Sequence, residues 1–271
     1  MSQRGHPPFF RYFANRRKGA RERMGTWWEG VQKGFYQTFI LKNNYMYFLK
    51  GIRITLLVTV LALVLGVILG VLVAVIRSAH DQQPEKKRGL LLRIFNGICK
   101  FYLTVVRGTP MMVQLLIMWF VIWPVLFPGA TRATDGNLIR CAVLAFGVNS
   151  GAYVAEIVRS GIMSIDKGQM EAGRSLGLNY VTTMRYIIIP QAFKNVLPAL
   201  GNELITLLKE TSIVTVIGLK DLTKGAMIIQ ANTYQALVPF IAIALMYLAM
   251  VMLLSWLLGK MERRLRQSDI R

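Results

Sequence analysis

At 271 residues and 30.6 kDa, with 54% hydrophobic and only 17% charged residues and a mean hydropathy of +0.43, the chain is too apolar for an ordinary soluble fold. Its formal net charge of +20 would suit nucleic acid in a soluble protein. In a chain this apolar, it marks cytoplasmic segments and contact with anionic headgroups instead, and no nucleic-acid partner is expected.

Residues 1–51 form a basic, aromatic N-terminal tail with Arg16-Arg17-Lys18 and Trp27-Trp28. Its first 30 residues lack the apolar h-region of a cleavable signal peptide. The stretch from Phe35 to Lys50 mixes charge with aromatics, which predicts an interfacial amphipathic helix rather than a span. Two uncharged runs, Ile54 to Ile76 and Gly108 to Thr131, each exceed the roughly 18 apolar residues that cross a hydrocarbon core, so the chain is polytopic. The first span is expected near 54–76, where Gly66 and Gly70 at GxxxG spacing would admit a close neighbour. A polar segment from Arg77 to Arg93 follows, containing Lys86-Lys87-Arg88. Residues 89–107 read as a partly amphipathic helix, broken at Pro110, which lacks an N–H. The second span covers about 110–127 and the third about 138–160, with Arg140 at one end and Glu156 and Arg159 near the other. Residues 161–190 are polar. A fourth span near 195–218 is the poorest by hydropathy, because it holds Asn202, Glu203, Lys209 and Glu210. The fifth lies within 225–259, a stretch too long for one span, so its first part is expected to be a loop or re-entrant. The membrane domain is thus 52–260, followed by a basic tail, 261–271.

The tail carries Arg263, Arg264, Arg266 and Arg271 just after Lys260, and the positive-inside rule makes it cytoplasmic. Counting back through five spans places 161–190 and 77–93 inside as well. The same count puts the N-terminus outside, against the ten Lys or Arg and two acids of residues 1–50.

No GxxxxGK[ST] motif occurs, so ATP hydrolysis by this chain is not expected. His6, His80, Cys99 and Cys141 form neither a metal-ligand spacing nor a nucleophile–base arrangement, and the cysteines read as structural thiols. No catalytic residue, metal or bound cofactor is predicted. The most distinctive segment is Glu171-Ala172-Gly173-Arg174-Ser175-Leu176-Gly177, then nine residues, then Ile187-Ile188-Ile189-Pro190. It reads as a short helix, a turn at Gly177 and a second short helix closed by Pro190. Such an element is either a rigid knob on the cytoplasmic surface or a solvated helical loop.

That segment resembles the EAA loop of ABC-importer permeases, the element that docks into a groove on the ATPase subunit. Arg107-Gly108-Thr109-Pro110-Met111-Met112-Val113-Gln114, Ala152-Tyr153-Val154-Ala155-Glu156-Ile157-Val158-Arg159, Pro190-Gln191-Ala192-Phe193 and Leu208-Lys209-Glu210-Thr211-Ser212 are similar to the polar amino acid uptake branch. The resemblance spans roughly 52–260. Gly173 departs from the second Ala of the signature, which would loosen the helix by up to about 1 kcal/mol. Glu210 and Ile213 stand where Asp and Leu are commoner in the family, and the first 50 residues have no counterpart. The resemblance implies an all-α integral membrane protein of type I importer architecture, with about five transmembrane helices and a cytoplasmic helix-turn-helix coupling loop. It implies ABC ATPase subunits, a second permease subunit of the same or a different sequence, and an extracytoplasmic solute-binding protein as partners. ATP and Mg would belong to the ATPase, a polar amino acid would be the substrate, and the site would be the inner or plasma membrane of a prokaryote. Glu171, Ala172, Gly173, Gly177 and Pro190 would carry the coupling, with Gly177 at the turn and Pro190 ending the loop.

Charged groups at the bilayer centre cost about 2.5–3.5 kcal/mol on insertion scales, so they face a bundle interior or a cavity. Asn149, Tyr153 and Glu156 share one helical face by their i, i+4, i+7 spacing. Asn202, Thr206 and Lys209 share another, with Glu203 and Glu210 offset by one. These faces either line a pathway, with Asn149, Tyr153, Asn202 and Glu203 as candidates for a zwitterionic amino acid, or satisfy one another between helices. Structural pairing suits Glu156, Lys209 and Glu210 better, Glu156 with Arg159 at i, i+3. The rival readings are an ion-coupled secondary transporter or channel using Glu203 or Glu210, and a scaffold that anchors an ATPase. No internal repeat with paired broken helices favours the former.

Overall fold

The computed structural model describes residues 28–83 and 89–267, and those residues are almost entirely helical. His6, the Arg16-Arg17-Lys18 and Lys86-Lys87-Arg88 clusters and Arg271 lie outside the described residues. A helix over 28–35, α1, runs into a π-helical turn, Tyr36–Ile40. The chain then breaks at Lys42 and Asn43, whose φ values are 51° and 57°. α2, Tyr45–Gln82, starts directly after, with the Asn44 side-chain amide donating to the Gln37 carbonyl at 2.7 Å. The span therefore begins well before residue 54, and the expected tail boundary at 51 falls inside it. The reason is amphipathic spacing: Phe48, Gly51 and Thr55 are buried on one side, while Lys50 and Arg53 point outward. Charge interleaved in sequence is thus segregated in space.

α3, Leu90–Gly108, ends at Thr109-Pro110 as the missing proline N–H dictates. α4, Met111–Ile117, continues through a π-helical turn into α5, Trp123–Leu126, and this unit is bent by 109° from α3. α6, Asp135–Met163, begins with Thr134 as N-cap. The segment expected to couple, 161–190, comprises α7, Lys167–Ser175, and α8, Tyr180–Thr183, which leads through a π-helical turn into α9, Ile189–Glu210. A 3-10 stretch, Thr211–Ile217, and Gly218 at φ 91° turn the chain into α10, Leu222–Thr233. Asp221 caps α10 by accepting from the Thr223 and Lys224 amides. α11, Leu237–Gln267, closes the fold and carries the helix past the expected tail boundary at 260. The first part of 225–259, expected as a loop or re-entrant, is instead the helix α10, capped by Asp221 and separated from α11 by a break at 234–236.

By length and composition, α2, α6 and α11 can cross a membrane, and the bent α3/α4–α5 pair makes a fourth candidate. α9 has the length but is too polar to pass on composition. Helix direction supplies what composition withholds. α2 and α6 run parallel, since Gly66 lies on Ser150 and Gly70 on Val154, so the chain recrosses between them, and α3–α5 is the segment available. α9 runs antiparallel to α6, with Glu203 on Ser150 and Val196 on Gly161.

The core sits along the α2–α6 seam, where small residues replace bulk. A Cβ at Gly70 would stand 2.6 Å from the Val154 Cβ, and one at Gly147 2.5 Å from Leu65. Outside it, Val58, Ala62, Leu115, Trp119, Cys141 and Phe146 form the main buried cluster. A second cluster joins Phe48, Leu222, Ile229 and Ile243 across α2, α10 and α11. Overpacking a close contact costs about 1–3 kcal/mol. Gly70→Leu is therefore expected to lower the detergent-solubilised melting temperature by several degrees, whereas Gly97→Leu, where the site is open, leaves it unchanged. Equal melting of the two variants would remove the importance given to the seam.

Candidate functional site

The coupling segment is locally determined. Asp166 caps α7, accepting from the Gly168 amide at 2.6 Å, and Asn179 caps α8, accepting from the Thr182 amide at 2.9 Å. Between them Gly177 adopts φ 80°, a conformation that costs glycine no Cβ clash. Its N–H reaches the Arg174 carbonyl at 2.9 Å and the Leu178 N–H reaches the Gly173 carbonyl at 3.0 Å, the paired bonds of a Schellman stop. Gly173 is buried, and a Cβ there would lie 2.6 Å from Thr183 Cγ2. The departure from Ala is thus a packing requirement, since α7 crosses α8 too closely for a methyl group. Glu171 and Ala172 are exposed on the outer side of α7.

Pro190 does not close the second helix. The helix runs through it, because the π-helical turn Met184–Ile188 precedes it and the Ile189 N–H bonds to the Met184 carbonyl. Pro190 then sits in the first turn of α9, where a missing N–H is tolerated. The knob is therefore continuous with α9 rather than separated from it.

Further contacts make this unit stiff. The Asn195 side-chain amide donates to Ser164 Oγ at 2.9 Å, and Gly161 is packed directly on Val196. At the same end of α2 and α6, Arg77 pairs with Glu156, and Arg159 pairs with Asp81 at 2.9 Å. The local Glu156–Arg159 distance is 3.9 Å, so the expected i, i+3 pair is subordinate to bridges between helices. Outward, Leu176, Val181 and Tyr186 are exposed beside Glu171 and Arg174, an apolar patch with a charged rim that suits a protein partner. A cavity of about 420 Å³ opens between α7, α8 and the end of α6, lined by Met163, Met170, Met184 and Tyr180 with Asp166 and Glu171. Partial burial raises the Tyr180 hydroxyl pKa above its ordinary value.

The polar faces divide. Asn149 is buried and donates to Gln114 Oε1 at 2.9 Å, while the Gln114 amide donates back to the Val106 carbonyl at 2.7 Å and Thr109 Oγ1 at 2.8 Å. Ser150 donates to Glu203 Oε1 at 2.7 Å. Tyr153 is partly exposed beneath Arg107, whose guanidinium carbon lies 5.5 Å from the ring centroid. The structure thus places Glu203 on the α6–α9 contact beside Ser150, whereas Asn149, the next residue of α6, faces Gln114 of α4. Asn202, Thr206 and Lys209 point away from the α6–α9 contact and are exposed.

A family described as "Binding-protein-dependent transport system inner membrane component" matches residues 90–267, which takes in the coupling segment and both polar faces. The chain belongs to this family. It is 42% identical over 195 residues to the arginine transport system permease protein ArtQ of Bacillus subtilis (strain 168), covering 67% of this chain and 85% of that one. It is 39% identical over 173 residues to the glutamine transport system permease protein GlnP of Escherichia coli (strain K12), covering 64% and 77%. A crystal structure of an amino acid ABC transporter with histidines superposes with a TM-score of 0.71 at 41% identity, covering 81% of this chain and 94% of that one. A chain of the inward-facing MetNI methionine ABC transporter shares the fold, with a TM-score of 0.66 at 19% identity over 83% and 99%. The resemblance read from the motifs is borne out, as is the type I importer architecture.

Four partners in this permease were not legible as such. Gln114 lies inside a recognised motif, yet its link to Asn149 joins residues 35 apart in sequence. Ser150 neighbours a candidate but looks like any small polar residue. Arg77 and Asp81 meet α6 across almost eighty residues, with no local signal. The α7–α8 crossing yields a direct test. Gly173→Ala should accelerate hydrogen exchange across 169–183 by about tenfold or more, given about 1–3 kcal/mol for overpacking. Thr183→Ala in the same chain should restore much of the protection. Unchanged exchange in the single variant would mean that the crossing has slack.

Proposed function

We propose that the chain is the membrane-spanning subunit of an ATP-driven importer for a polar amino acid, working by alternating access in the cell membrane of a prokaryote. One observation supports this most: an exposed helical knob, charged and apolar outside, is continuous with the start of α9 and bonded to the end of α6 through Asn195 and Ser164. Partner ABC ATPases, holding ATP and its Mg, would grip the knob through Glu171, Ala172 and the exposed Leu176 patch. Gly173 and Gly177 would preserve its shape, and Pro190 would keep it in line with α9. Closing of the ATPases would then tilt α6 and α9, which carry Asn149, Tyr153, Asn202 and Glu203, alternately toward either side.

The outer half of the reading rests on chemistry. A solute-binding protein outside the membrane would deliver the amino acid. A second permease subunit would cover the open face of α9, since Asn202, Thr206 and Lys209 cannot face lipid without cost. The relatives named for arginine and glutamine support a polar amino acid as the substrate class. Glu171→Lys should reduce uptake to background and abolish ATPase co-purification while the chain still inserts, measured by vesicle uptake and pull-down. Retained uptake would sink the coupling assignment. Asn202→Leu should shift the uptake KM or the selectivity among amino acids, by about tenfold for one lost polar contact, with ATPase attachment intact. Unchanged kinetics would return Asn202 to a packing role.

A further inference from the structure

α3 carries two stripes that transport leaves unused. Leu91, Ile94, Phe95, Ile98, Phe101 and Val105 are exposed and form an apolar stripe. Beside it, Lys100, Thr104 and Arg107 recur at i, i+4 and i+7 and line a groove of about 450 Å³, whose far wall is Arg77 of α2 and Glu156 of α6. The groove holds three cations against one carboxylate, and that carboxylate is already paired with Arg77. Arg107 has the Tyr153 ring as neighbour, which supplies no formal charge. Arg77 Nε is buried and finds no acceptor among the described residues. The lining is therefore left with two excess positive charges.

Position selects the occupant. Arg77 is the first charged residue after the uncharged run Ile54 to Ile76, so the groove stands where hydrocarbon gives way to headgroups on the cytoplasmic side. A free amino acid would bring an ammonium toward three cations. A second copy of this chain, with 33 basic and 13 acidic residues, would oppose like charge with like. We infer that this groove binds the phosphate of an anionic phospholipid from the cytoplasmic leaflet, with Lys100 and Arg107 as its main contacts and the acyl chains lying along the apolar stripe of α3. Phosphate oxygens meet Arg and Lys through charge-assisted hydrogen bonds, and basic residues near a membrane surface each add to anionic-lipid affinity.

The test uses the full chain with its co-purifying subunits in nanodiscs of phosphatidylcholine doped with phosphatidylglycerol, followed by native mass spectrometry of the retained lipid. Phosphatidylglycerol should be retained in preference to phosphatidylcholine, and Lys100→Gln with Arg107→Gln should cut that preference by about tenfold. The swap Lys100→Arg with Arg107→Lys should preserve it, as should Lys260→Gln with Arg263→Gln in α11. Lys100→Gln alone, at an exposed position, gives a smaller loss and serves if the double variant misfolds. Equal retention of the two lipids, or retention unmoved by Lys100→Gln and the double change, would overturn the inference. Displacement of the bound lipid by inorganic phosphate or by free amino acid would overturn it too, by assigning the groove to a soluble ligand.

Discussion

Helices in a bilayer gain little from burying apolar surface against one another, because lipid is as apolar as leucine. What holds them is dispersion at close range, and that depends on how near two backbones can come. The α2–α6 seam answers this constraint with Gly66, Gly70 and Gly147, each placed where a Cβ would collide across the interface, and with Gly151, where a Cβ would press on Leu69 of α2 and Tyr102 of α3. The rest of the fold takes its register from that contact. It fixes α2 and α6 as a parallel pair, which obliges the chain to cross once between them and gives the bent α3–α5 unit its place. It also aligns Arg77 with Glu156 and Asp81 with Arg159 at one end of the pair.

Polar side chains add the cross-bracing that apolar contact cannot. Gln114 links the break after α3 to Asn149 on α6, and Ser150 links α6 to Glu203 on α9. Each bond removes a polar group from hydrocarbon while fixing the rotation of its helix. On α9, Asn202, Thr206 and Lys209 face away from α6 and stay exposed. A single chain therefore contains one satisfied polar seam and one open polar face.

Much of this was legible because its causes are local. The break at Pro110 and the turn at Gly177 each follow from residues within a few positions. The start of α2 was hidden because Lys50 and Arg53 interrupt the apolar pattern in sequence, although helical spacing puts them on the outer face. Pro190 misled for a related reason. A proline in a polar loop signals a stop, but a π-helical turn just before it moves it into a first-turn position where it costs little. The pairs Arg77–Glu156 and Gln114–Asn149 depended on which helices meet, and no single segment carries that information.

Continuity between the knob and the bundle follows from these details. A proline stop at residue 190 would have placed a hinge between coupling surface and span, and a force on α7 would be absorbed there. The observed helix instead runs from Tyr180 to Glu210 through one π-helical turn, braced by the Asn195–Ser164 bond and the Gly161–Val196 contact. From Met163 to Asn149, α6 extends about 21 Å at 1.5 Å per residue. Asn149 and Ser150 therefore share one continuous helix with that end of α6, whereas Glu203 lies beyond Pro198, a proline in the interior of α9. The hydrogen bond between Ser150 and Glu203 sits where α6 and α9 meet, so it ties the rotation of one helix to that of the other.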